Sequence, residues 1–277
     1  MKHAIMVIGH GENASILQST INILDSVDID FFVHWDRKYK MPLLKSNKSS
    51  IFIVENPIDV KWGTDSQIKV EKLLFNMVQR NKKQYDYAHL ISSVDMPLMT
   101  KEYFLNYFKK DMYVGFVSSI DDKLYRRLAW YYPNKFDFKT KAGKVIHKCF
   151  EGMNYILRVN RIKENKKIVE KGCNWFSIST KYLDSLCNYD KDYIFEHTFC
   201  ADEFYVQTIL HNYKPSELYD DNKMAARYID WKRGRPYTFH NCKDDINELR
   251  RKLNTRYAFA RKIDSADIID KVFYLDN

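Results

Sequence analysis

The chain opens on an unbroken apolar run, Ala4 to Ile8, then Gly9-His10-Gly11, then apolar positions at Ile16, Ile21, Ile23 and Leu24. A continuous run ending at glycines suits a buried strand, and the spacing after it suits a helix packed on that strand. The step recurs. Ile29 to Trp35 ends in Asp36-Arg37-Lys38, and Ser50 to Val54 follows a polar loop, so two further strands are expected. Asp65 to Arg80 carries Ile68, Val70, Leu73, Leu74, Met77 and Val78 close to helical periodicity, and Tyr87 to Val94 reads as the strand after it. Strands alternating with helices predict an α/β fold with a central, mostly parallel mixed sheet flanked by helices. Ligands in such sheets gather at the carboxyl ends of strands, here Gly9 to Gly11, Asp36 to Lys38 and Ser92 to Asp95.

Beyond Asp121 the pattern weakens. Residues 121–171 form a long excursion rich in Lys, Arg, Tyr and Asn, with helical pieces around Val145 to Asn160, and such insertions commonly shape substrate clefts. Cys173 to Ser179 reads as a strand and Lys181 to Cys187 as a short helix. Asp202 to His211 reads as a helix burying Phe204, Val206, Ile209 and Leu210. Arg227 to Lys262 mixes basic and aromatic residues without clear period. With no repeat and no linker, residues 1–277 are expected to form one domain.

Composition narrows the class. Twenty Tyr, 17 Phe and 5 Trp supply apolar area for a core, which excludes a disordered chain. Forty-five Lys and Arg against 36 Asp and Glu leave a net charge of +9, which attracts polyanions, anionic headgroups or phosphorylated small molecules. The interleaved Lys, Arg and Tyr of 121–171 and 227–262 also fit a nucleic-acid-binding protein at this point. Five widely spaced cysteines without a C-x-x-C pair indicate neither a disulfide framework nor a zinc site, and suit a reducing compartment. The amino-terminal apolar run is too short for a signal-peptide core, and no stretch approaches the roughly 20 apolar residues that span a bilayer.

The familiar phosphate and metal motifs are missing. Gly9-His10-Gly11 lacks the third glycine of a dinucleotide fingerprint and is expected to be a tight turn, no P-loop exists, and eight scattered histidines include no H-E-x-x-H. Two acidic triplets, Asp28-Ile29-Asp30 and Asp190-Lys191-Asp192, resemble the Asp-x-Asp that holds a divalent cation, but neither follows a buried strand, so solvated acids are expected. Where such a motif belongs, the chain has Ser92-Ser93-Val94-Asp95 with one carboxylate.

That same segment carries a resemblance. His89 to Thr100, HLISSVDMPLMT, resembles the L-S-G-x-D-x-P-L signature of the core-2/I-branching β-1,6-N-acetylglucosaminyltransferase family, which includes the peptide O-xylosyltransferases. Val33 to Lys38 is similar to the family's I-H-x-D-x-K, and Val60-Lys61-Trp62-Gly63 to its V-x-W-G. Gly172 to Phe176 resembles G-S-x-W-F, Asp202-Glu203 with Gln207-Thr208 resembles D-E-x-x-x-Q-T, and Arg227 to Trp231 resembles R-x-I-x-W. Phe259-Ala260-Arg261-Lys262 matches F-A-R-K. Seven segments in the family's order cover most of the chain. The resemblance implies a GT-A-like fold, a nucleotide-sugar donor, inversion at the anomeric carbon, and catalysis without the Asp-x-Asp metal. On it, residues 1–120 form the nucleotide-binding half and 121–277 the acceptor and catalytic half.

The resemblance also assigns roles. Glu203 falls on the family's catalytic glutamate, and an inverting transfer needs such a general base at the acceptor hydroxyl; read on residues alone, Asp202 and Glu203 equally suit a helix amino terminus. With no metal and no other cofactor expected, cations must stabilise the departing diphosphate. Lys262 and Arg227 lead that assignment, with Arg235, Arg256 and Arg261 able to substitute. Asp36 matches the family aspartate at the uracil edge, although capping the following turn explains it as well. Gly9, His10 and Asp95 complete the expected nucleotide side, Asp95 where a ribose or sugar hydroxyl would lie. Trp231 offers a flat face to an acceptor sugar, and Arg126, Arg127, Trp130 and Tyr131 are further acceptor contacts to test. Trp62 and Trp175 are expected to pack in the interior.

Ser93 stands where the signature has glycine, Thr64 where a second small residue is common, and the disulfide cysteines of the animal members have no counterparts. The first two bear on the shape of the donor pocket, and the missing cysteines imply a bacterial-type, cytoplasmic member acting in surface polysaccharide biosynthesis, with room for peripheral contact with an anionic membrane at its inner face. The expected partners are a UDP-sugar, UDP-GlcNAc before UDP-xylose, and a glycan or lipid-linked saccharide acceptor. The ordered motifs argue against nucleic acid.

Overall fold

The computed structural model describes residues 1–274. Its centre is a six-stranded sheet of β1 (His3–Gly9), β2 (Ile29–Trp35), β3 (Ile51–Ile53), β4 (Tyr87–Ser92), β6 (Met112–Tyr113) and β7 (Ser177–Ser179), in the order β3-β2-β1-β4-β7-β6. A second sheet has β9 (Phe259–Arg261) between β5 (Asp95–Pro97) and β8 (Arg227–Ile229). The pairs among β1 to β4 run parallel, while β7 pairs antiparallel with both β4 and β6, so the sheet is mixed and mostly parallel.

The strands are apolar throughout because both of their faces are covered. Along β1, Ala4, Met6 and Ile8 enter one core with Phe32, Leu90, Phe75 and Phe204, while Ile5 and Val7 enter the other with Leu17, Ile21, Phe31 and Phe104. Helices α1 (Ser15–Leu24) and α3 (Lys101–Tyr107) cover the second face. On the first face lie α2 (Ser66–Gln79), α4 (Asp122–Ala129), α6 (Leu183–Cys187) and α7 (Asp202–Ile209), with α5 (Lys141–Ile156) peripheral to them. The short α8 (Asp221–Met224) leads into β8, and α9 (Lys243–Arg250) and α10 (Asp267–Phe273) pack with the small sheet.

The early expectations hold to within a residue or two: β2 spans Ile29–Trp35, α2 lies inside Asp65 to Arg80, and α7 inside Asp202 to His211. The expected strand from Cys173 shortens to Ser177–Ser179: ahead of it Phe176 O still accepts from Leu90 N of β4 at 3.0 Å, but Cys173 O is taken by the Gln207 side chain at 2.7 Å instead of a neighbouring strand. Helix α5 begins earlier than expected, at Lys141, where Thr140 caps it by accepting from Gly143 N at 3.0 Å. Asp30 is no solvated acid: it is 1% exposed, and its carboxylate accepts from Lys83 Nζ at 2.8 Å and Tyr85 Oη at 2.7 Å. The 227–262 stretch supplies β8, α9 and β9, none of which its pattern announced.

Candidate active site

The chain order reverses at β1, which pairs with β2 on one side and β4 on the other. That reversal opens a crevice beyond the carboxyl ends of the parallel strands, the usual ligand position in such sheets. A cavity of about 970 Å³ opens here, at the upper end of the size of small-molecule sites. Gly9 and His10 from the end of β1, Asp36 from β2 and Ser92 from β4 form one wall. Gly9 is required by the approach of Trp35, whose ring would lie 2.1 Å from any Cβ there.

Asp36 lines the cavity but is already engaged. Its Oδ1 accepts from Lys38 N at 3.1 Å, the turn-capping bond expected of it, and Oδ2 pairs with Lys38 Nζ at 3.0 Å. Lys38 also pairs with Asp59 at 3.2 Å.

The opposite half is built on α7. Glu203, in its first turn, lines the cavity with its side chain 34% exposed. Its Oε2 accepts from Arg127 Nη1 at 2.8 Å and pairs with Lys171 Nζ at 3.1 Å. Burial works against its charge, but Arg127 and Lys171 outweigh burial and hold the carboxyl below its ordinary range. Such a carboxylate stays ionised at neutral pH and is able to accept a proton from a group held in the cavity. The neighbouring Asp202 is shifted the other way, by burial and then by the Glu203 charge. It accepts from Gln67 Nε2 at 2.9 Å and Asn174 Nδ2 at 3.1 Å.

The sequence pattern does not single out the two residues that hold Glu203. Lys171 was one basic residue among many in 121–171, and its only local signal is the glycine after it. Gly172 approaches Gly115 so closely that a Cβ would meet the Gly115 carbonyl at 1.8 Å, and Gly172 N donates to Glu203 O at 3.0 Å. This backbone contact delivers Lys171 to the carboxylate. Arg127 was expected at the acceptor; instead it sits beneath Glu203 and does not line the cavity. Its remaining donors go to Phe199 O at 3.1 Å and Cys200 O at 2.6 Å, so its guanidinium is committed.

The cationic wall comes from β9. Arg261 pairs in register with Asp95 of β5 and donates from Nη1 to Asp95 Oδ1 at 2.6 Å and to Ser92 Oγ. Its guanidinium also lies 4.1 Å from the centre of the Trp175 ring. Lys262 follows it in the wall, joined by Lys139, Arg235 and Lys171. Burial, Arg261 and Lys139 together lower the Lys262 pKa, and His10 is lowered by burial and by the same cations. Mutual suppression among these groups marks a region of strong positive potential, which an anion would relieve.

Several expected site residues lie elsewhere. Asp95 is 1% exposed, with its oxygens taken by Ser92 and Arg261, so it orients the arginine and does not face the cavity. Arg227, also 1% exposed, is a core residue: it donates to Ala225 O at 2.8 Å, Leu90 O at 3.2 Å and Phe176 O at 2.5 Å, with its guanidinium 5.0 Å from the Phe259 ring centre. Its guanidinium is held in the interior on backbone carbonyls and is not part of the cavity lining, so it is not placed to meet a diphosphate. Arg256 is exposed and away from the cavity, and its carbonyl accepts from Tyr107 Oη at 2.9 Å. Arg126 stacks on Trp130 at 5.1 Å outside the cavity, and Tyr131 stacks on His197. Trp231 lines the rim with 54% of its surface exposed, and Trp62, expected in the interior, lines it too at 47%. Trp175 is buried yet borders the cavity beneath Arg261. Among the described residues, no group of three or more His, Cys, Asp or Glu converges in a way that would hold a metal ion.

Comparison with known proteins gives three findings. No curated protein matches the chain. Among solved structures, S. aureus TarS 1–349 is similar over 98% of this chain and 69% of its own, at 10% identity and a TM-score of 0.33. The family model of the Core-2/I-branching enzyme matches residues 4–253. A match over that much of 277 residues is decisive: the chain belongs to the Core-2/I-branching enzyme family and is a glycosyltransferase.

Proposed function

We propose that the protein is an inverting glycosyltransferase that moves a sugar, GlcNAc in the first instance, from a UDP-sugar to a hydroxyl of a glycan or lipid-linked saccharide. One observation carries this reading: the ionised Glu203 carboxylate and the Arg261–Lys262 pair line the same cavity at the sheet's switch point.

In the proposed reaction the acceptor hydroxyl oxygen attacks the anomeric carbon from the face opposite the diphosphate. Its proton passes to Glu203, the new C–O bond forms, and the bond to the diphosphate oxygen breaks with its electron pair leaving on UDP. Arg261 and Lys262, with Lys139 and Arg235 beside them, balance the charge that develops there, so the reaction is expected to proceed without a divalent cation. Asp95 and Trp175 hold the Arg261 guanidinium before substrate arrives, which removes the cost of ordering it during the reaction. Gly9, His10 and Asp36 suit the nucleoside end, and the faces of Trp62 and Trp231 suit sugar rings at the rim. Such a reaction would serve surface polysaccharide assembly.

The test is UDP release from a panel of UDP-sugars, with and without acceptor saccharides, in EDTA. Turnover of one donor under chelation supports the reading and names the sugar. Turnover that returns only with Mn²⁺ overturns the metal-free part. No affinity for UDP or any UDP-sugar overturns the whole.

A further inference from the structure

Helix α5 carries an apolar stripe that the fold leaves in water. One side of the helix is anchored: Gly143 and Asn154 are buried, Asn154 Nδ2 donates to Tyr131 O at 2.9 Å, and His147 stacks on Tyr132 at 4.8 Å. Turned away from that side, Val145, Cys149, Met153 and Ile156 recur at spacings of four, four and three, which aligns them on one face. All four are exposed, Val145 by 64% and Ile156 by 78%, and Leu157 extends the stripe at 68%. Lys141, Lys144 and Lys148 run beside it at spacings of three and four, also exposed. From Lys139 to Lys167 the chain has nine Lys and Arg against two Glu, a surplus of seven within a net charge of +9.

An apolar stripe bordered by a row of lysines is the pattern of a helix lying in a membrane interface, with apolar side chains among the acyl chains and lysines at the headgroups. We propose that α5 docks the protein on an anionic lipid surface. The charge selects this occupant. A second copy of the chain, meeting the stripe through a two-fold axis, would bring two such basic segments together. Helix α5 also starts at the cavity: Asp137, Lys139 and Thr140 line it, and α5 begins at the next residue. A docked helix would therefore hold the cavity mouth near the headgroups. This consequence rests on the proposed function, whereas docking itself does not.

The experiment is flotation with sized vesicles of phosphatidylcholine alone or with a third phosphatidylglycerol, without donor or acceptor. Wild-type protein should float with the anionic vesicles and stay behind with the neutral ones. Lys144→Glu with Lys148→Glu should weaken anionic binding by at least about 30-fold, from two lost lysine–headgroup contacts together with the repulsion of the two new carboxylates. Met153→Asp with Ile156→Asp should weaken it more than tenfold through the lost apolar contact. Unchanged UDP-sugar binding and thermal midpoints would show that the variants are folded. Wild-type protein that never floats, or variants that float like wild type, would overturn the proposal. So would a dimer, seen by analytical ultracentrifugation, that the Met153→Asp/Ile156→Asp variant dissociates while vesicles recruit neither protein.

Discussion

Replacing Glu203 by glutamine tests the centre of the proposed chemistry. Glutamine keeps the side-chain length and an oxygen able to accept from Arg127 and Lys171, so the two cations retain a partner. What disappears is the charge and the capacity to take a proton. In the structure Oε2 is bound to those cations and the side chain borders the cavity, so the proposed reaction assigns the acceptor proton to Oε1. Loss of a positioned general base costs about 10²- to 10⁴-fold in kcat, or roughly 3 to 5 kcal/mol of barrier. The donor KM should change less than about threefold, because Arg261 and Lys262 are untouched. The assay is initial-rate UDP release with saturating acceptor, alongside thermal unfolding of each variant. A Glu203→Gln kcat within about fivefold of wild type would refute the assignment. The pH profile gives a second reading of the same residue. Because Arg127 and Lys171 keep the carboxyl below its ordinary range, wild-type activity should hold well into the acid side before the base protonates. Lys171→Met removes one of those cations, so the acid limb should move to higher pH, damped by solvent screening at a side chain one-third exposed. A limb that stays put or moves toward acid would show that Lys171 does not tune Glu203.

Other substitutions separate the arginines and probe the core. Arg261→Ala should lower kcat/KM for the donor by about 10²- to 10³-fold, and Asp95→Asn should reproduce part of that loss while leaving the fold intact, since Asp95 acts by holding Arg261; equal activity in all three proteins would remove Arg261 from the site. Arg227→Met should instead act on stability, costing about 3 kcal/mol in urea unfolding by removing its bonds to the carbonyls of Ala225, Leu90 and Phe176, of which Phe176 O keeps only the Leu90 N–H; a stable Arg227→Met protein with a raised donor KM would return it to the diphosphate. His3 and His89 are buried side by side, with ring nitrogens 2.9 Å apart, and burial lowers the pKa of both, His3 to about 4. The folded state then binds fewer protons than the unfolded chain, so stability is present at neutral pH and drains away as pH falls below the unfolded value, by about 2 kcal/mol for His3 alone between pH 7 and pH 5. Denaturation midpoints that do not change across that interval would contradict it.

How far the sequence reaches is visible in the two halves of the site. The ends of β1, β2 and β4 were legible because strands buried on both faces must be apolar throughout, and their polar ends are then where ligands gather. Glu203 stands out only through the resemblance of Asp202 to Thr208 to the family's D-E-x-x-x-Q-T, since by itself it reads as an acid at a helix amino terminus. The cations were another matter. Arg227 and Arg261 lie in one basic, aromatic stretch, and nothing local separates them. Their fates diverge only through pairing: β9 sets Arg261 opposite Asp95, 166 residues away, while Arg227 on the neighbouring strand turns inward to the carbonyls of β4 and the turn before β7. Strands of three residues are too short to show a period, so the small sheet that sorts the two arginines left no pattern to read. Lys171 shows the same limit from the other side, since its place beside Glu203 depends on two backbones meeting at Gly115 and Gly172. Residue types along the chain thus raise the expectation of an anion site and a base. Which cation serves which carboxylate is decided by contacts between segments far apart in sequence, and those contacts give a basic chain a site with an orientation.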